Sequence, residues 1–94
     1  MHIRMEIEFT RDTLKNIEKM MKDTSTQEHK ELLNAALTMF KWAIEAIRKG
    51  HIVASLDAEN KTYKTLLMDP LEVVAHKFNN TSYISSNIPP EIYQ

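Results

Sequence analysis

The sequence predicts a mainly α-helical fold with short β-segments, assembled as an intertwined symmetric dimer that carries a C-terminal β-hairpin on each chain. Three observations predict it. Residues 2–9 alternate between apolar and polar side chains, the period of a half-buried strand. Two apolar series at helical spacing follow, the second bounded at both ends by helix signals. Two β-prone runs then flank a polar stretch of five residues, which is the pattern of a hairpin.

In the first segment Ile3, Met5, Ile7 and Phe9 fall on one side, and His2, Arg4, Glu6 and Glu8 on the other. A strand needs a neighbour for its backbone donors and acceptors. The next β-prone run begins only at Ile52, so a second copy of the same segment is the nearest partner. Thr10 is placed to cap the helix that follows, with Asp12 in the first turn where the helix dipole favours an acid. Leu14, Ile17, Met20 and Met21 lie on one stripe of that helix. It ends near Lys22, where Asp23, Thr24, Ser25 and Thr26 compete for backbone hydrogen bonds.

Ser25 and Glu28 have capping-box spacing ahead of a second, longer helix. Leu33, Ala36, Leu37, Phe40, Ala43, Ile44 and Ile47 hold the helical period, and Leu32, Met39 and Ala46 widen the stripe. A helix apolar on more than one side is what two packed chains require. The expected dimer core is therefore Ile3, Met5, Ile7, Phe9, Leu33, Leu37, Phe40 and Ile44, with Met20, Met21 and Met39 filling gaps. Arg48 and Lys49 sit in the last turn, and Gly50, the single glycine of the chain, takes the position just past the helix end.

Residues 52–56 and 62–68 form the two arms of the hairpin around residues 57–61, and Pro70 ends it. Residues 71–78 are a short helix or an extended arm. Residues 79–94, with paired asparagines, several serines and Pro89-Pro90, are expected to be mobile or draped on a partner. The chain is thus divided into a dimerisation core (1–50), a hairpin (51–68) and a C-terminal arm (69–94).

Composition bounds the function. Ninety-four residues make one domain, and 43% hydrophobic with 27% charged residues is a soluble globular balance. No apolar run reaches the roughly 20 residues of a membrane span, and no secretory signal precedes the first strand. A cytoplasmic location without membrane contact is expected. The absence of cysteine excludes disulfides, thiolate metal sites and a thiol nucleophile. The net charge of −1 lacks the basic surplus usual in a free-standing nucleic-acid binder.

His2, His29, His51 and His76 share no i, i+4 spacing; Glu28, His29 and Glu31 are assigned to a solvated helix face and His51 to the C-terminal carbonyls of the second helix, and no metal or cofactor is expected. Glu6 and Glu8 could pair for acid–base work, but no activated nucleophile or pocket motif accompanies them, and a charged solvent face is preferred. The serines lack a nucleophile-elbow setting, so no enzyme is expected. Lys15, Lys19 and Lys22 form a small basic stripe, assigned to solvent. Trp42 lies off the main apolar stripe and is expected to be covered by the hairpin or the tail.

Strand, short helix, polar turn and longer helix within fifty residues resemble the ribbon-helix-helix (Arc/MetJ-like) family. The resembling stretch runs from Ile3 to Gly50. It is carried by the alternating Met5-Glu6-Ile7-Glu8-Phe9, by Thr10-Arg11-Asp12-Thr13-Leu14 opening the first helix, and by the turn ahead of Leu33-Asn34-Ala35-Ala36-Leu37. The resemblance implies an antiparallel ribbon of two strands in the DNA major groove. Arg4, Glu6 and Glu8 then face base edges, and amides at Ser25, Thr26 and Gln27 clamp a phosphate.

It also implies a homodimeric DNA-binding transcriptional regulator of double-stranded DNA. One form of this is the antitoxin of a toxin–antitoxin pair, whose C-terminal arm engages the protein partner. The chain departs from the family pattern in the ribbon, where two of three outward positions are glutamates. A glutamate can accept from cytosine N4, yet it also repels a polyanion. The alternative is a ribbon-helix-helix protein-interaction module that does not bind DNA, its acidic ribbon facing a basic partner.

Overall fold

A computed structural model describes residues 2–85. These form α1 (Arg11–Asp23), α2 (His29–Arg48), β1 (Ala54–Asp57), β2 (Thr62–Thr65), α3 (Asp69–Lys77) and α4 (Thr81–Ser85). The fold is mainly helical with one two-stranded antiparallel sheet. No helix among the described residues is long and apolar enough to cross a membrane.

The cap at Thr10 forms as expected, its hydroxyl oxygen accepting from the Thr13 amide at 3.2 Å. The other end of α1 closes differently. Ser25 takes a left-handed backbone (φ 54°), the Ser25 amide donates to Lys22 O, and the Thr26 amide donates to Met21 O at 2.9 Å. That is a Schellman closure with Ser25 at the position glycine favours. The capping box expected from Ser25 and Glu28 is therefore not made. A capping residue needs extended backbone, and the tight turn out of α1 holds Ser25 in the left-handed region. The Glu28 carbonyl opens α2 instead, accepting from the amides of Glu31 and Leu32.

Gly50 closes α2 in the same way at φ 86°, with the His51 amide donating to Ala46 O. Asn79 repeats the closure at α3, and the Asn80 amide donates to Ala75 O at 2.8 Å.

The hairpin pairs Ala54 with Thr65 and Asp57 with Thr62, shorter than the two runs read from the sequence. Within its turn the Asp57 carboxylate accepts from the Asn60 amide at 3.2 Å and from Asn60 Nδ2 at 2.8 Å, an arrangement that fixes the loop.

The chain divides into two compact units inside α2, between Leu37 and Thr38. In the second unit Ala43, Ile47, Val53, Leu71, Ala75 and Tyr83 are buried together. Phe40 and Ile44, expected in a dimer core, pack against this cluster within one chain.

Residues 71–78, read as a short helix or an extended arm, take the helical form in α3, and the expectation of a mobile or partner-bound arm is corrected over residues 79–85, which carry α4 and the buried Tyr83. Leu71, Val74 and Ala75 form a stripe at helical spacing, and both Leu71 and Ala75 are fully buried. The final stretch, residues 86–94, lies outside the described residues. Trp42, expected to be covered, is 59% exposed. It stands one residue off the Ala43–Ile47 face that carries the core, and the hairpin does not reach over it.

The first unit has the opposite character. None of its described residues is buried; Ile17, Met21, Thr26 and Leu32 are half-buried and the rest are exposed.

Candidate interaction surface of the N-terminal unit

Residues 2–9 form neither helix nor a hydrogen-bonded strand. Their backbone groups make no bond to another segment among the described residues. The alternating apolar residues are turned to solvent: Ile3 is 86% exposed and Met5 79%, with Ile7 and Phe9 about half exposed. An eight-residue stretch of strand pattern without a ladder is an unmatched row of donors and acceptors.

Three of these apolar residues converge. Met5, Ile7 and Phe9 line one groove of about 240 Å³ with Ile17 from α1 and His29 and Leu33 from the start of α2. Four of the residues assigned to a dimer core (Met5, Ile7, Phe9 and Leu33) thus share one concavity, and Ile3 and Leu37 lie exposed outside it. His29 was assigned to a solvated face. Its place in the groove follows from its being the first residue of α2, where the turn brings it beside Phe9 and Leu33.

The outward set behaves as a charged face. Arg4, Glu6 and Glu8 are exposed and make no ion pair among the described residues. At the turn, the Ser25 and Thr26 amides are consumed by the Lys22 and Met21 carbonyls, so of the three residues expected to clamp a phosphate only Gln27 keeps its amide clear of that closure. The Thr24 hydroxyl donates to Met20 O at 2.7 Å and lies 2.6 Å from the Thr26 hydroxyl, which ties both side chains to α1. The amides of Gln27, Glu28, His29 and Lys30 make no backbone bond among the described residues, as the opening turn of any helix requires.

No family model, no curated protein and no solved structure matches the chain. Function therefore rests on the geometry alone. Among the described residues no group of three or more His, Cys, Asp or Glu side chains is placed to hold a metal ion. His76 lies 3.8 Å from Glu72 across one turn of α3, both well exposed. Among its described residues the unit offers an apolar concavity, a segment 2–9 without backbone pairing and a charged outer edge.

One cluster went unread in the sequence. Asn80, 2% exposed, donates from Nδ2 to Ile47 O at 2.8 Å and to His51 O at 2.7 Å, and its Oδ1 accepts from the Tyr83 amide at 2.9 Å. It caps α4 and fastens it to the end of α2. The Tyr83 hydroxyl meets both backbone groups of Met68, accepting from its amide at 3.0 Å and donating to its carbonyl at 3.3 Å. The signal was Asn79-Asn80-Thr81, a left-handed helix stop followed at once by a helix-capping residue.

Proposed function

We propose that the chain is a ribbon-helix-helix homodimer acting as a DNA-binding transcriptional regulator. The observation that carries this reading is that residues 2–37 bury no side chain in a single chain, although two amphipathic helices and a strand pattern are present. Such a unit has its apolar faces covered by something, and strand, short helix, turn and long helix is the order in which two copies cover each other. Pairing of two segments 2–9 then satisfies both backbones and places Arg4, Glu6 and Glu8 on the outer face. In the antitoxin form of this reading the C-terminal part of the chain engages a protein partner.

Two measurements test it. Size-exclusion with light scattering under dilution should show a dimer, and a folded species of 11.0 kDa rejects the assembly. Fluorescence anisotropy with random-sequence duplex DNA at low salt should show binding with a steep salt slope. Arg4→Ala should weaken this binding and make its salt slope shallower.

Glu6 and Glu8 favour a second reading, a dimeric interaction module whose acidic ribbon meets a basic protein. A dimer that ignores duplex DNA even at low salt selects it.

A further inference from the structure

We propose that the open edge of β1, with the groove across its hairpin, is a docking strip for an extended segment of another protein that carries a carboxylate next to an apolar side chain.

The edge follows from the register. Leu66 N donates to Val53 O at 2.8 Å, and Ala54 pairs with Thr65. Antiparallel pairs alternate between bonded and non-bonded, so Val53/Leu66 and Ser55/Lys64 face inward. The backbone groups of Ala54 and Leu56 therefore point away from β2. All four residues of β1 are exposed, and Leu56 is 79% exposed. β1 lacks the lysines, proline or bulge that usually guard an edge, whereas Lys64 lies in β2 and Lys61 just before it. A two-stranded sheet by itself is marginal, and a third strand is what stabilises it.

A groove of about 300 Å³ opens across both strands of the hairpin, walled by Met39, Val53, Ala54, Ser55, Thr65 and Leu66 and carrying one charge, Lys64. No acid lines it. Backbone bonds along Ala54 and Leu56 supply affinity in such strand addition, and side-chain pockets supply selectivity. An apolar side chain fits the groove, and an adjacent carboxylate answers Lys64. A second copy of this chain fits less well, because the acid it would bring along β1 is Asp57, whose carboxylate is already held by Asn60.

The test is selection of a phage-displayed library of random linear peptides on the full chain, followed by binding of the synthetic selected peptide. The expected peptides alternate apolar residues with Glu or Asp. Lys64→Glu should weaken them about ten-fold or more. Ala54→Pro should abolish binding while leaving the hairpin, since the Ala54 amide faces outward and proline is tolerated there. If Ala54→Pro melts early, Leu56→Pro removes the other outward amide of the same edge without touching the ladder and should give the same loss. Failure of any peptide to enrich, enrichment of basic peptides, or equal binding to the edge variants overturns the proposal. So does a concentration-dependent larger species that Leu56→Pro removes, which would make a second copy the occupant.

Discussion

Asn80 joins three segments with one uncharged side chain, and its removal should be felt at each of them. Asn80→Ala deletes a helix cap and takes a donor from two carbonyls, of which Ile47 keeps the Gly50 amide and the part-buried His51 is left short. A lost cap costs about 1 kcal/mol and one orphaned carbonyl about 1–3 kcal/mol. The variant should lose about 2–4 kcal/mol in urea unfolding, and Asn80→Asp should lose more at neutral pH, since a carboxylate then faces two carbonyl oxygens. Ser25 works in the other direction. A serine in the left-handed region is strained by about 1–2 kcal/mol, and glycine gives back part of that through chain entropy. Ser25→Gly should therefore raise stability by about 0.5–1 kcal/mol, a few degrees in Tm. These two residues mark a limit of sequence legibility: Ser25 has the spacing of a cap and Asn80 the company of a tail, and only the geometry of the preceding helix end decides which role each plays.

The elements themselves were largely legible. Thr10, Gly50 and Pro70 are punctuation whose effect is local, so α1, the end of α2 and the start of α3 follow from short-range chemistry. Residues 79–85 did not, because a five-residue helix (α4) has no period of its own and is held by Asn80 and Tyr83 contacts to residues far away in the chain. The hairpin is held by its turn, and this gives it a pH dependence. Hydrogen bonds from the Asn60 side chain and amide, and from the Glu59 amide, hold the Asp57 carboxyl below its ordinary range. A depressed folded-state pKa stabilises the fold above the unfolded-state value, and that contribution is lost as pH falls through the folded-state value. The protection factors of the β1 and β2 amides, taken relative to intrinsic exchange at each pH, should fall in acid, and Asp57→Ala should show the lower protection already at neutral pH. The hairpin of Asp57→Ala should then be indifferent to acid in that range.

At the scale of the whole molecule, the described core is small, six buried apolar residues drawn from the second unit. The first unit adds none. Under the dimer proposal the first unit is covered only by association, so Tm should rise with protein concentration. Ile7→Lys, which puts a charge on the groove shared with Phe9, Ile17 and Leu33, should depress Tm and shift the species towards monomer in light scattering. On the DNA-binding reading, Glu6→Gln with Glu8→Gln should tighten duplex binding at low salt, and unchanged anisotropy would count for the interaction module. Of the dimer core read from the sequence, Leu33 and Leu37 are left open while Phe40 and Ile44 pack against their own chain, because the α2 stripe is continuous. A periodic pattern records that a face is apolar, not what covers it.

Trp42, the one tryptophan in the sequence, lines a shallow surface hollow with Glu45, Lys49, His51 and Ile52. Its indole is bathed in solvent and flanked by groups that quench by charge and by proton transfer. The protein therefore carries a single-site optical probe: its emission should be red-shifted and open to acrylamide. Any macromolecule that settles on this side of α2 should shift that emission to the blue, so docking there can be followed on the unlabelled chain.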